Sequence, residues 1–513
     1  MARITCFDGV NCIGGNKILL EDGSAKLFFD FGKNFGNEGQ FYEEFLQPKT
    51  CSGLYEHVQM GFLPPFHDLY REDLISQLCS PWDGIETSGI GEVGGVLVSH
   101  AHVDHIGSLH HLRWDIPIYS SPMTAAISRA LQDTGGSASL DDYCYCAPKQ
   151  DDPENGLKSI HWKSGPAVVK RYHLTDPPGQ PFAAFWSQYP GSREFNPSEL
   201  KHTDTCAGLP IMSFPVDHSV YGANAWAVQT EAGWVVYSGD VRCHGSYGNT
   251  TRAFAEQAAK LNPIALLIEG TRITSDSDYT EADVKNAALE VVKKSSGLVV
   301  ADFGPRNVER LISFLDIARE TGRELAILPK DAYLLNAMRQ AGGHQSVPSL
   351  DGSGIRIYWE YSGANDKWRK QIREDYEHLI ITPRDVRTDQ DKFICCFSFF
   401  DINELPYIKP VPGSVWIYSS CEAFNEEMQI DRKRLKRWLD YFNMRLVGGD
   451  ETEEEGCFHV SGHASGPDLM ELVNIIRPKT LIPIHTEHPE IYEERVGDIC
   501  KIMMPKIGVG IEI

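Results

Sequence analysis

The run His100-Ala101-His102-Val103-Asp104-His105 packs three imidazoles and a carboxylate into six residues. Imidazole nitrogen and carboxylate oxygen suit zinc, a borderline-soft divalent ion. His100 and His102, two apart, can aim at one metal. Asp104 and His105, adjacent, can aim at a second metal a few ångströms away. A polar loop that happens to be rich in histidine would not need this spacing. The run therefore predicts a hydrolytic centre with two metals.

Ligands must converge, so the elements around them matter. Val96-Leu97-Val98 reads as a short apolar strand before the run. Ile106, Leu109 and Leu112 read as one face of a helix after it. The same placement recurs along the chain. Lys26-Leu27-Phe28-Phe29 leads to Asp30, and Ile211 to Phe214 leads to His218. Trp234 to Tyr237 leads to Asp240, Ala265 to Ile268 to Glu269, and Thr480 to Ile482 to His485. Singly, a histidine or aspartate past a strand is an ordinary capping or turn residue. As an ordered set, these residues read as a dinuclear site built on strand ends. Phe458-His459-Val460 reads as a further strand before the turn Ser461-Gly462-His463-Ala464. His110, His111, His344, His378, His459 and His488 read as surface or structural residues.

Between about 273 and 455 the pattern changes. Helix-like Glu281 to Ser295, Asn307 to Thr321 and Glu426 to Asn443 alternate with apolar runs at Leu298–Ala301, Leu325–Leu328, Ile355–Ile357, Leu379–Ile381 and Val415–Tyr418. That alternation predicts a parallel α/β sheet. Residues 33–90 read as a loop-rich excursion, a lid or an interface. Residues 133–208 are irregular, and Asp450 to Glu455 reads as a solvated loop or linker.

The series His100-x-His102-x-Asp104-His105, then His218, then Asp240, resembles the ligand series of the metallo-β-lactamase superfamily. Glu269 in Leu266-Leu267-Ile268-Glu269-Gly270-Thr271, His463 in Val460-Ser461-Gly462-His463-Ala464-Ser465 and His485 in Pro483-Ile484-His485-Thr486 resemble motifs A, B and C of its β-CASP nuclease branch. Asn307-Val308-Glu309-Arg310 looks like the stretch that opens one helix of that branch's inserted domain. The motifs look most like those of ribonuclease J and of the endonuclease subunit of the cleavage and polyadenylation machinery. Segments 33–90 and 121–208 lie outside the resemblance.

The resemblance implies an α/β fold: a metallo-β-lactamase αββα sandwich with an inserted parallel-sheet α/β (β-CASP) domain. The sandwich would comprise 1–272 and 456–513, and the insert 273–455. His100, His102 and His218 would hold one zinc. Asp104, His105 and His485 would hold the other, with Asp240 bridging and Mn2+ as a possible substitute. Asp30 would orient a ligand or the attacking water. The metals would make hydroxide available near neutral pH for attack on a phosphodiester. His463, held by Glu269, would be the general acid. Ser461, Gly462, Ala464 and Ser465 would cradle an adjacent phosphate. Histidine at motif C implies RNA, most simply single-stranded, over DNA. The sequence ends about 28 residues past His485, which implies that the extra C-terminal domain of ribonuclease J is not part of it.

Composition sets limits and a tension. No apolar run approaches the ~18 residues of a membrane span, and the N-terminus has no signal-like apolar core. The 13 cysteines are scattered without a C-x-x-C, which predicts free thiols in a reducing compartment. These features predict a soluble cytoplasmic enzyme with no membrane partner, and they leave a homo-oligomer open. The formal net charge of −23 opposes binding of a polyanion at long range. Two alternatives to a ribonuclease, exonuclease or endonuclease stay open: a DNA nuclease of the same fold, and a hydrolase of small phosphodiesters or thioesters, for which the charge is the best support. Tyr42, Phe62, Phe66 and Tyr70 could stack bases or pack the core.

Overall fold

In the computed structural model the described residues are 2–513, apart from 44, 136–141, 161–166, 192–194, 277–278, 353, 365, 421–425 and 450–456. The acidic run at 450–455 and the expected boundary at 455/456 therefore lie outside the described residues.

Two mixed sheets face each other. The first runs in the order Lys201–His202, Tyr172–Leu174, Ile118–Ser120, Val96–Leu97, Ala25–Phe31, Lys17–Asp22, Ala2–Asp8, Gly510–Glu512. The second runs Thr205–Cys206, Leu209–Pro215, Asn224–Gln229, Trp234–Tyr237, Ala265–Ile268, Thr480–Pro483, Lys501–Ile502. Alternation along single strands explains the layering. Ile18, Leu20, Leu27 and Phe29 point into the space between the sheets, against Trp226, Val235, Tyr237 and Leu267. Leu19 and Phe28 point the other way and pack with Leu54, Leu69, Ile106 and Leu109. The outer face of the second sheet is covered by helices Gly248–Lys260 and Gly466–Ile476, through Phe254, Ala258, Leu469 and Val473. Segment 33–90 is thus a cover on the outer face of the first sheet. Phe62 and Tyr70 are buried in it, and the Tyr70 hydroxyl donates to Pro64 O at 2.6 Å.

The third sheet is all parallel, in the order Ile380–Ile381, Ile355–Tyr358, Glu324–Ile327, Phe393–Cys396, Val299–Asp302, Val415–Tyr418, Arg445–Val447. Its strands are near-continuous apolar runs because helices cover both faces. The architecture is the α/β sandwich with a parallel-sheet insert.

Several local expectations differ. Ile106, Leu109 and Leu112 are all buried, but Ile106 ends the helix Val103–Ile106, Leu109 opens a 3-10 turn Leu109–His111, and Leu112 is the extended residue after it. Ser108 breaks the helix by bonding back to the first sheet, its N–H to Phe31 O at 3.0 Å and its hydroxyl to Gly32 O at 2.8 Å. Phe458–Val460 joins no sheet, since side chains take its backbone: Phe458 O accepts from the Arg310 guanidinium and the Ser419 hydroxyl. Strand Phe393–Cys396 and helix Pro329–Ala341 were not anticipated.

Candidate metal centre

The histidine and aspartate side chains meet where strand ends of the two sandwich sheets come together. His100 to His105 follow Val96–Leu97, and His218 follows Leu209–Pro215. Asp240, Glu269 and His485 follow Trp234–Tyr237, Ala265–Ile268 and Thr480–Pro483. Close backbone approach tightens the turn. A Cβ at Gly32 would stand 1.6 Å from Asp104 O, so only glycine lets the end of strand Ala25–Phe31 approach helix Val103–Ile106 there.

Two ligand sets share one carboxylate. His100 Nε2 and His218 Nε2 each lie 3.1 Å from His102 Nδ1, and 3.5 and 3.8 Å from Asp240 Oδ2. On the other side, His105 Nε2 is 3.1 Å from Asp240 Oδ2 and 3.6 Å from Asp104 Oδ2. His485 Nε2 is 3.3 Å from Asp104 Oδ2 and 3.8 Å from Asp240 Oδ1. Within each set one ligand atom per residue lies within 4.8 Å of the others. All are buried except Asp104 and His102, which are half-buried.

The polar atoms at the centre are orphaned. His105 Nε2 and both Asp240 carboxylate oxygens meet no partner in hydrogen-bonding geometry among the described residues, though buried. Such groups cost stability unless something pairs with them. Burial, then neighbouring histidines, holds His100 and His218 well below the ordinary imidazole range. Burial and then Arg306 push His102 down to about 3. These rings are neutral, the form that donates a lone pair to a metal. Burial also opposes a charge on His105, but Asp240, Asp104 and Asp30 outweigh it and raise the ring well above its usual range. The surplus carboxylates call for a cation, and a metal held there would take the place of that proton. The donor set and the orphaned atoms fit a metal.

The second layer fixes ring orientation, as metal-binding histidines require. Asp30 accepts from Ser99 N at 2.7 Å, from the Ser99 hydroxyl at 2.7 Å and from the Tyr237 hydroxyl. Its Oδ2 also lies 2.7 Å from His105 Nδ1, leaving Nε2 for the centre. Thr271 Oγ1 stands 2.8 Å from His485 Nδ1, and Gly462 O 2.5 Å from His218 Nδ1. Asp30 and His485 take left-handed φ values of 51° and 50°. That conformation costs a non-glycine residue about 1–3 kcal/mol and persists where surroundings over-determine it. Ser99, Thr271 and Tyr237 were not singled out from sequence. The serine beside His100 and the threonine two past Glu269 were the available signals.

Beside the two sets, His463 Nδ1 lies 3.0 Å from Glu269 Oε2 and 3.1 Å from Oε1. Glu269 also accepts from Val241 N at 2.9 Å and Thr271 N at 3.2 Å, and with Asp240, His463 and His485 it forms a third group whose ligand atoms lie within 4.8 Å of one another. Burial works against a charge on His463, but Glu269 and then Asp240 outweigh it and raise the ring to about 9. The turn around it is less free than its composition suggests. Ala464 N donates to Val241 O at 2.7 Å, and the Ser465 hydroxyl caps helix Gly466–Ile476. Ser461 Oγ accepts from His463 N at 3.2 Å, and Gly462 packs so closely that a Cβ would sit 2.5 Å from Ser219 Oγ. Of the four residues expected at a phosphate, Ala464 and Ser465 are spent on holding the turn.

Residues 457–495, which carry His463 and His485, match the family model described as "Zn-dependent metallo-hydrolase RNA specificity domain". The chain is 19% identical over 495 residues to a ribonuclease J of Helicobacter pylori, covering 95% of this chain and 56% of that protein. It is 22% identical over 450 residues to a ribonuclease J of Methanocaldococcus jannaschii, covering 84% of this chain and 85% of that one. A crystal structure of a protein of unknown function from Enterococcus faecalis V583 shares the fold, with a TM-score of 0.66 at 22% identity over 100% of both chains. By its sheets, its clustered histidines and aspartates and these matches, the chain is similar to the metallo-β-lactamase/β-CASP proteins, and its clustered side chains could hold metal. The curated relatives named here are ribonucleases J, and the chain spans little more than half the length of the Helicobacter one. Among the described residues no helix is long and apolar enough to cross a membrane.

Proposed function

We propose that this protein is a two-zinc ribonuclease acting on single-stranded RNA. The observation that carries the reading is Asp240, buried between two histidine sets with neither carboxylate oxygen in hydrogen-bonding geometry to any described residue, beside a His463–Glu269 pair. His100, His102 and His218 would hold one ion, and Asp104, His105 and His485 the other, with Asp240 shared. Zinc bound there would lower the pKa of water to near neutrality and offset charge building on phosphoryl oxygens. The protein's own part is orientation and proton transfer. Asp30 and Thr271 fix which nitrogens of His105 and His485 face the centre. Glu269 keeps His463 protonated, and His463 gives that proton to the leaving oxygen. We take the sandwich as 1–272 and 456–513, with 273–455 inserted.

RNA is favoured over DNA by the family model matched at His463 and His485, and by the relatives named ribonuclease J. The tension with net charge eases locally. Arg306 donates to Ala101 O at 3.3 Å, which places an insert guanidinium beside His102. The twelve described cysteines are free thiols, in keeping with a reducing, cytoplasmic setting. The test is cleavage of matched RNA and DNA oligonucleotides carrying 5′-phosphate or 5′-triphosphate, with metal analysis of the same preparation. Zinc-dependent cleavage of RNA is expected. A clear DNA preference, or no binding of RNA even at low salt, overturns the reading in favour of a DNA nuclease or a small-substrate hydrolase.

A further inference from the structure

Five buried charged side chains form one network beside the metal centre. Arg242 donates to Asp217 through Nε at 3.0 Å and Nη2 at 3.2 Å, to Glu281 through Nη1 at 3.2 Å, and to Glu309. Arg310 donates to Glu281 through Nε at 2.9 Å and Nη2 at 3.1 Å. Asp217 and Arg242 belong to the sandwich, one residue before His218 and two after Asp240. Glu281 opens helix Glu281–Lys294, and Glu309 and Arg310 lie in the first turn of helix Val308–Glu320, both in the insert. None of the five is more than 5% exposed.

Buried ion pairs are poor stabilisers, since apolar replacements of similar volume often serve as well or better. A network of five therefore asks for a role in geometry. Its far end supplies one. Arg310 Nη1 donates to Ser419 O at 2.7 Å and to Phe458 O at 3.1 Å. Phe458 begins the short irregular segment that runs to Ser461, Gly462 and His463. Gly462 O in turn meets His218 Nδ1 at 2.5 Å, which closes a ring back to Asp217.

We propose that Arg310 and Glu281 are positioning residues for His463: the insert holds the segment bearing the general acid at a fixed offset from the metal ligands, through Phe458 on one side and Asp217–Arg242 on the other. The arrangement makes proton delivery depend on the insert's docking, while the ligand sets stand on sandwich residues alone. This rests on the reading of His463 as general acid.

The discriminating readout is leaving-group sensitivity. A p-nitrophenolate leaves without a proton, whereas the sugar oxygen of RNA needs one. The experiment compares kcat on RNA and on bis(p-nitrophenyl) phosphate for the full-length zinc-loaded wild type, Arg310→Lys, Glu281→Gln and His463→Ala. Arg310→Lys keeps the charge but loses the guanidinium fork. It is expected to lose about 10–100-fold on RNA, the usual scale for outer-layer partners, with metal content and p-nitrophenyl ester hydrolysis nearly unchanged. Glu281→Gln gives a second probe should the lysine variant not fold. Equal losses on both substrates, or no loss on RNA, overturn the proposal. If His463→Ala itself shows no selective loss on RNA, the general-acid reading fails instead, and the two failures are told apart.

Discussion

The candidate metal centre and the arginine network are neighbours that meet at Asp217 and Arg242, beside His218 and Asp240, and they treat buried charge in opposite ways. In the network every carboxylate meets a guanidinium: Asp217, Glu281 and Glu309 all accept from Arg242, and Glu281 also from Arg310. In the centre, Asp240 and His105 Nε2 are as deeply buried yet have no hydrogen-bond partner among the described residues. Clustering alone does not mark a site. A satisfied cluster is scaffold, and an unsatisfied one is built for something that is not protein.

That contrast can be broken at either end. Asp240→Ala removes the ligand both sets share, so metal content should collapse and RNA cleavage should fall by about 10³-fold or more, read by metal analysis and single-turnover kinetics. Arg242→Met leaves buried Asp217 and Glu309 without a guanidinium, Glu281 keeping Arg310, and the cost expected for such a break is about 3–5 kcal/mol. A thermal melt would show it as a lowered Tm, and an unchanged Tm would mean that the pairs carry no weight.

Asp302 in the insert sharpens the comparison, because burial raises its pKa to about 7 even though Trp416 Nε1 donates to it at 3.1 Å. Its folded pKa lies above its unfolded one, so the native state binds the proton more tightly. Stability is therefore greatest below the unfolded pKa, is lost as pH rises from about 4 to 7, and then levels off. The loss is up to about 4 kcal/mol by linkage. Asp302→Asn should flatten this dependence in denaturant titrations at pH 5 and pH 8, and a slope that persists would assign it to other groups. Thr271→Val should have the smallest effect. It removes the contact to His485 Nδ1 and should weaken metal binding about 10–100-fold, as outer-layer changes do, in a chelator competition assay.

The residues of the two candidate ligand sets were legible because strand-end histidines and aspartates stand out against apolar runs, as at His100–His105 and Asp240. Their supports were not. Ser99, Thr271 and the Gly462 carbonyl are unremarkable in sequence, and their partners lie up to 244 residues away. The alternating run Phe458-His459-Val460 suggested a strand, but pairing is decided by neighbours, and here Arg310 and Ser419 took the carbonyl instead. Glu309 and Arg310 were visible as part of a motif, while their function depends on Arg242 and Glu281, which only folding brings together. In the insert, alternation gave the parallel sheet, but the short run Phe393–Cys396 was hidden by its charged flank Asp389 to Lys392.

The most direct test of the central claim is a paired measurement on His463→Ala: bound zinc and the rate of RNA cleavage, against wild type. The account predicts about two zinc ions in both proteins and a loss of about 10²–10⁴-fold in rate for the variant. A variant that cleaves RNA at the wild-type rate, or one that loses its zinc along with its activity, would contradict the division between an unsatisfied metal centre and a separate proton donor beside it.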